Sequence, residues 1–302
     1  MTDDTDRIII SGSSGLIGGA LVESLRSDGI RVARLVRRAP RSADEIEWHP
    51  GEQPLDPAVI AGARAVVNFN GASIGKLPWT RRYRDVLRSS RLLPTRALAS
   101  AIRRLGAEAP ALVSASAVGF YGDRPGELLT ESSDRGDSFL ALLSAAWERE
   151  ALLAGPDARV ALLRTAPLLH PEGVLKPMVA LTRFGLSGPL GTGRQIWPWI
   201  SLDDEVRAIR HIIDHGLEGP VNLSGPEPAS ANEIGRTLAD RLHRPFLLPA
   251  PAWALRLGLS ADAADSLLLS DARVQPKALL DSGFEFSHPT AQAAIDASLQ
   301  DG

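Results

Sequence analysis

The sequence predicts an α/β protein: a Rossmann-type doubly wound parallel sheet with a small, mostly helical cap at the C-terminal end. Three observations predict it. Short apolar runs alternate with helix-patterned stretches through the first half of the chain. A glycine-rich turn, Gly12-Ser13-Ser14-Gly15-Leu16-Ile17-Gly18, lies directly between the first apolar run and the first helix. After Pro245 the strand pattern gives way to short helical stretches.

The elements follow in order. Arg7 to Ser11 reads as a short buried strand, and Ala20 to Ser27 as an amphipathic helix stopped by Asp28-Gly29. Arg31 to Val36 and Ala65 to Asn68 read as strands, Arg82 to Leu105 as a long helix and Ala111 to Ser114 as a strand. Leu140 to Leu153 is helical, Val160 to Arg164 a strand, Asp203 to His215 a helix and Pro220 to Leu223 a strand. Strands alternating with helices imply parallel pairing with helices on both faces. The expected division is a nucleotide-binding domain over 1–225, with 170–200 as a cap loop region, and a C-terminal cap on the substrate side over 245–300. The proline-rich stretch Pro245 to Pro251 reads as the linker.

Composition narrows the function. The chain has 302 residues, 44% of them hydrophobic, enough to bury a sizeable core. Its net charge of -3 comes from 33 basic and 36 acidic residues, so nucleic acid is not the expected partner. Without cysteine, disulfides and thiolate metal sites are excluded, and no metal site is expected. Met1 to Asp6 is polar and acidic, and Ile8-Ile9-Ile10 is too short for a secretion signal or a membrane span. A cytoplasmic location, a small-molecule substrate of unknown identity and no membrane partner are expected; a homodimer is the assembly left open.

The glycine turn carries the first chemistry. Gly12 permits a tight turn, Gly15 lets the backbone approach a pyrophosphate, and Gly18 lets the helix pack close to the sheet. The helix N-terminus then offers free N–H groups and a positive dipole end. The end of the second strand distinguishes the cofactor. NAD sites place an acid there for the ribose 2′-hydroxyl, but this chain has Leu35-Val36-Arg37-Arg38. Arginine forks suit the 2′-phosphate of NADP(H), so Arg37 and Arg38 favour it over NAD. The alternative for both is a pair of solvated surface arginines.

The turn spacing resembles that of extended short-chain dehydrogenases/reductases of the NAD-dependent epimerase/dehydratase family. Further segments resemble one atypical branch, that of the epimerase family proteins and SulA-like nucleoside-diphosphate-sugar epimerases. They are Val67-Asn68-Phe69-Asn70-Gly71, Trp79, Ser89-Ser90-Arg91-Leu92, 114–123, Leu163-Arg164-Thr165, the glycine-rich run 185–195, Trp199-Ile200 and Asp203-Asp204. The tail around Arg244-Pro245, Pro249, Pro276-Lys277 and Gly283-Phe284 also resembles that branch. The resemblance implies that Gly12 to Gly18, Arg37, Phe69, Asn70, Gly71, Arg91 and Ser114 lie near NADP(H), with Pro167 and Leu168 near its nicotinamide end. Two departures stand out. The branch usually has Ala-Gly-Glu at Asn70-Gly71-Ala72, and a histidine at Ser201.

Ordinary short-chain dehydrogenases need Tyr-x-x-x-Lys on one helix face, where the lysine lowers the tyrosine pKa. This chain has two tyrosines and three lysines, and no tyrosine precedes a lysine by four. Aligned through Trp147-Glu148, Leu140 and Ser144 stand in the motif's place. Two candidates remain for the catalytic role. Ser116 matches the serine that holds substrate in active relatives, or it satisfies backbone groups at a strand end. Tyr121 is a substitute proton donor, or an amphipathic aromatic lining the cofactor pocket. Glu131 reads as an exposed loop acid, His211 and His215 as surface histidines, Asp203 and Asp204 as a helix cap, and Trp199 as core. Arg194, Gln195 and Trp197 are open between substrate contacts and packing of the cap. Two functions follow as expectations: an NADP(H)-dependent oxidoreductase or sugar-nucleotide-type epimerase without the dyad, or a non-catalytic NADP(H)-binding sensor or partner-binding module.

Overall fold

The computed structural model describes residues 7–300. The Met1 to Asp6 segment lies outside the described residues. The first strand, β1 (Ile8–Ser11), is buried along its whole length. Each isoleucine there contributes about 1.5–3 kcal/mol on leaving water, which explains why an uninterrupted apolar run becomes a central strand. Helix α1 (Leu16–Ser27) starts earlier than periodicity suggests, because its first turn is the glycine turn itself. Strands β2 (Val32–Val36), β3 (Glu45–Glu47) and β4 (Ala65–Asn68) follow, then the long helix α2 (Arg81–Arg103) and strand β5 (Ala111–Ala117). A short β6 (Leu128–Leu129), helix α3 (Phe139–Ala151) and strand β7 (Val160–Thr165) lead to α4 (Leu175–Arg183), β8 (Ile196–Trp197), α5 (Leu202–His215) and β9 (Gly219–Leu223). The remainder holds β10 (Ala229–Ser230), α6 (Ala231–Arg241), α7 (Ala252–Leu259), α8 (Ala261–Ala264), β11 (Arg273–Val274), α9 (Lys277–Asp281) and α10 (Ala291–Gln300).

Seven strands form one sheet in the order β3-β2-β1-β4-β5-β7-β9, every neighbouring pair parallel. The fold is therefore the doubly wound Rossmann-like one. Helices α1 and α5 cover one face with Ile8, Ile10, Val67, Val113 and Leu163, while α2 and α3 cover the other with Ile9, Val66, Leu112 and Leu162. The chain order reverses between β1 and β4, and ligands of such sheets bind at the carboxyl ends of those strands.

A second core lies beyond the strand ends. It joins Leu169, Leu175, Val179, Trp197 and Trp199 to Ile234 and Leu238 of α6 and Ile295 of α10. The 170–200 stretch, expected as a loop, thus contains α4 and β8. The proline-rich stretch is not a free linker. Leu247 and Leu248 donate to Ser187 O, and Ala250 pairs with the 189–191 backbone. Gly188 makes this docking possible, since a Cβ there would lie 2.2 Å from Leu248 O. Among the described residues no helix is long and apolar enough to cross a membrane.

Candidate functional site

The three glycines of the turn are glycine for different reasons. Gly12 has φ +84°, and a Cβ on it would lie 2.7 Å from the Phe69 carbonyl carbon. A Cβ on Gly18 would lie 2.5 Å from Gly12 O. Both positions are closed by the protein's own backbone. Gly15 is not. It has φ -80°, and its Cβ would meet only Gly12 O at 3.5 Å, an ordinary contact. Nothing inside the fold requires glycine there. Gly15 is the N-cap of α1, no side chain caps the helix, and Ser14 and Gly15 are exposed. The first turn of α1 therefore presents N–H donors that no side chain satisfies, which is the arrangement an anion needs.

The opposite wall is the loop after β4. Phe69 N donates to Ser11 O at 2.9 Å, extending the ladder one residue past the strand. Asn70 Nδ2 donates to Ser11 Oγ and to Asn68 Oδ1, the latter at 2.8 Å. Behind it, Asn68 Nδ2 donates to Thr95 Oγ1 at 2.7 Å, and Trp147 Nε1 donates to the same hydroxyl at 2.8 Å. These buried groups fix the 68–71 loop against the glycine turn. Ser114 belongs to this support. It is fully buried, 3.4 Å from Asn68 Nδ2, so it braces the loop instead of facing a cofactor as expected. Asn68, Thr95 and Trp147 went unread as supports. The one signal was a polar residue closing the apolar run 65–67.

Two arginines remain available at this edge. Arg37 is exposed at the end of β2 and pairs with no described side chain. Arg91 is buried under the loop, its guanidinium 3.1 Å from where a Gly71 Cβ would sit and 5.1 Å from the Trp147 ring centre. Its side chain donates to Leu87 O, it faces no carboxylate among the described residues, and burial pulls its pKa down to about 10. A buried cation without an acid is costly unless an anion comes to it. Arg38 departs from its expected role. It forks onto Glu45 of β3 with both bonds at 2.7 Å, and the pair holds the Glu45 carboxyl well below the usual carboxylate range. The parallel register sets Arg34 opposite Glu45, and β3 was too short to be read from sequence. Pro167 and Leu168 follow β7 at the same edge, Pro167 exposed and Leu168 bridged to Ile200.

The β5–β7–β9 part of the edge is closed. Ser116 Oγ donates to Glu148 Oε1 at 2.7 Å, and Arg164 Nε and Nη2 donate to the two Glu148 oxygens at 2.9 and 3.0 Å. Arg164 Nη1 donates to Tyr121 Oη at 3.0 Å and to Glu131 O at 3.2 Å, and its plane lies over Phe120 at 3.6 Å. Tyr121 Oη donates in turn to Asn222 Oδ1 at 2.6 Å. Tyr121 has no exposed surface, and burial pushes its pKa up. Both expected catalytic hydroxyls are engaged within the protein: Ser116 Oγ donates its hydrogen bond to Glu148, and Tyr121 Oη donates its own to Asn222. Glu131 is a tie as well, accepting from Asn222 N and Ala278 N. Leu140 and Ser144 occupy α3, where the Tyr–Lys pair is missing.

Other singled-out residues, Arg194 apart, are structural. Ser201 caps α5, and buried Asp204 accepts from Ser201, Arg207 and the backbone of Ser287 and His288. Gln195 and Trp197 both donate to Leu268 O, Trp199 donates to Glu227 O, and Arg194 is exposed. His211 and His215 stack at 3.9 Å, with His211 also on Ser282. One acid was missed entirely. Glu205 is fully buried beside Thr165, its Oε2 has no partner, and burial raises its pKa to about 8.

Comparison with known proteins agrees with this geometry. Residues 8–141 match the NAD dependent epimerase/dehydratase family, and residues 250–298 match a domain of unknown function, DUF1731. The chain belongs to the NAD-dependent epimerase/dehydratase family. It is 40% identical to epimerase family protein Mb2239 of Mycobacterium bovis over 95% of this chain and 96% of that one. It is 32% identical to the chloroplastic SDR39U1 homolog of Arabidopsis thaliana, over 97% of this chain and 86% of that one. Among solved structures, the human epimerase family protein SDR39U1 (isoform 2) with NADPH superimposes with a TM-score of 0.87 at 27% identity, covering 98% of this chain and 100% of that one. The nucleoside-diphosphate sugar epimerase of Corynebacterium glutamicum gives 0.78 at 31% identity, covering 97% of this chain and 58% of that one. An NAD(P)-binding fold of the epimerase type is thereby established.

Proposed function

We propose that this chain binds NADP(H) across the β1–β4 switch point and acts as an oxidoreductase or sugar-nucleotide-type epimerase without a Tyr–Lys dyad. One observation carries the reading: Gly15 is open on its outer side, at an uncapped helix start, between Arg37 and the acid-free Arg91. The residues fit the cofactor. Gly12 to Gly18, with the α1 N–H groups, would hold the pyrophosphate, and Arg37 would take the 2′-phosphate. Phe69, Asn70, Gly71 and Arg91 form the facing wall, and Pro167 and Leu168, after β7, would adjoin the nicotinamide end. The solved relative bound to NADPH supports the choice. When bound, NADPH would supply a hydride to a carbonyl substrate, whereas an epimerase would use NADP+ to take a hydride and return it; with Tyr121 and Ser116 held by Asn222 and Glu148, the proton comes from another group.

That commitment also favours a second reading, a non-catalytic NADP(H)-binding sensor. Transfer of deuterium from 4-deuterated NADPH to metabolites of a cell extract, followed by mass spectrometry, separates the two. Labelled product, or interconversion of sugar-nucleotide epimers with NADP+ resolved by chromatography, supports the enzyme; nucleotide binding with neither outcome supports the sensor.

A further inference from the structure

The cap turns large apolar side chains outward. Helix α7 has no buried residue. Its Trp253 and Leu257, four residues apart and so on one face, are 70% and 82% exposed. Beside them Phe184, at the end of α4, is 81% exposed and Leu247 is 75% exposed, with Leu186 and Leu248 exposed as well. These pieces form one surface. Leu247 and Leu248 donate to Ser187 O, Ala250 is bonded to the 189–191 backbone, and Pro251 leads directly into α7. Single exposed leucines are ordinary, but six large apolar residues on adjoining segments, two of them aromatic, mark a contact face.

Charge decides what covers it. The two stretches that build this face, 173–202 and 241–261, hold six of the chain's 33 basic residues and none of its 36 acidic ones. Arg241 and Arg256 are taken by Asp296 and Asp265, and Arg194 lines a cleft with Asp123 and Asp271. Lys176, Arg183 and Arg244 are exposed and have no ion-pair partner among the described residues. Arg183 adjoins Phe184, and Arg244 adjoins Pro245, whose carbonyl accepts from Ser187 Oγ at 3.0 Å. A second copy docked here about a twofold axis would set these cations against their own copies, which like-charge repulsion disfavours. An anionic occupant removes that conflict. The four most exposed side chains stand clear of the protein instead of lining a groove, so they offer no pocket to a partner protein's side chain. They suit a fluid apolar phase that they can enter, with a tryptophan at its polar boundary and basic side chains on anionic headgroups.

We propose that this face of the cap docks the protein on an anionic lipid surface, with Phe184, Leu247, Trp253 and Leu257 entering the acyl boundary and Lys176, Arg183 and Arg244 meeting the headgroups. The expectation of no membrane partner rested on the lack of a spanning run, which a contact lying in the interface plane does not need. The test is flotation of the full chain with unilamellar vesicles of phosphatidylglycerol and phosphatidylcholine in equal parts, beside vesicles of phosphatidylcholine alone. The chain's net charge of -3 opposes anionic vesicles, so binding to them requires a face of this kind. The expected result is saturable binding to the mixed vesicles, at least tenfold weaker on phosphatidylcholine alone. Brominated lipid is expected to quench tryptophan emission, and Trp253→Phe to remove that quenching, because the other five tryptophans are buried. Trp253→Ala with Leu257→Ala, and separately Arg183→Glu with Arg244→Glu, each weaken binding at least tenfold with Tm unchanged, since all four side chains are exposed. Absence of vesicle binding, or binding unaltered in either double variant, overturns the proposal. A dimer in sedimentation that the Trp253→Ala, Leu257→Ala variant dissolves, without vesicle binding, gives the face to a second copy and overturns it as well.

Discussion

The two halves of the sheet's carboxyl edge are built in opposite ways. At the β1–β4 half, the α1 donors, Arg37 and Arg91 have no partners of opposite charge among the described residues, and the packing leaves Gly15 open. At the β5–β7–β9 half, Ser116, Glu148, Arg164, Tyr121, Asn222 and Glu131 satisfy one another under the surface. The comparison teaches where binding ends and architecture begins. Unsatisfied polar groups mark the half that receives a ligand, and satisfied ones mark the half that holds the strands together. The hydroxyls that look catalytic by position are structural by partner.

The comparison breaks most visibly if the closed half proves dispensable. Glu148→Leu strands the Arg164 charge, and removal of one partner from a buried pair costs about 3–5 kcal/mol. Urea unfolding is expected to show that loss while NADPH affinity of the folded fraction holds; an unchanged midpoint would show that the network is not structural. On the open half the signs reverse. Gly15→Val is expected to lower NADPH affinity about 100-fold, ~2.8 kcal/mol, with a stability loss of no more than about 1 kcal/mol from the poorer N-cap, because a Cβ there has room. Calorimetry beside thermal unfolding measures both, and a Tm collapse would mean the glycine is needed by the fold.

Glu205 sharpens the contrast through pH. Its folded pKa of about 8 is raised above the ordinary carboxyl value, so the stability it allows is complete below the unfolded pKa and declines as pH rises through about 8. A loss on the order of 2 kcal/mol corresponds to a Tm fall of about 3 °C for a chain of 302 residues. Thermal unfolding from pH 5 to 9 should show this fall in wild type and a flatter profile in Glu205→Gln; parallel profiles would place the pH dependence elsewhere. Smallest in expected effect is Tyr121→Phe, which removes its hydrogen bond to Asn222 and the one it accepts from Arg164, whose guanidinium keeps Glu148. A stability loss of about 1 kcal/mol in urea unfolding, with no change in any NADPH-linked turnover, fits a structural tyrosine. A drop in turnover of tenfold or more would return it to the proton-donor role.

Much of this was legible in the sequence. Ile8 to Ile10, the glycine spacing and the alternation of patterns lead to the sheet and the turn because backbone sterics and burial act locally. What was not legible depends on pairing across the chain. Arg38 looks like a phosphate ligand until β3 brings Glu45 beside it. Tyr121 looks like a proton donor until β9, 101 residues later, presents Asn222. Ser114 looks like a cofactor contact until strand alternation turns it toward Asn68. The proline-rich stretch looks like a linker until Gly188 lets it dock. In each case the residue's chemistry was read correctly and its partner was supplied by the fold.

The most direct test of the central claim is calorimetric titration of NADPH and NADH into wild type and Arg37→Ala. One-to-one NADPH binding is expected, with NADH weaker by about tenfold or more and most of that preference lost in the variant, ~1.4 kcal/mol for each factor of ten. Binding of neither nucleotide would contradict it, because the open half of the edge would then have no dinucleotide to receive.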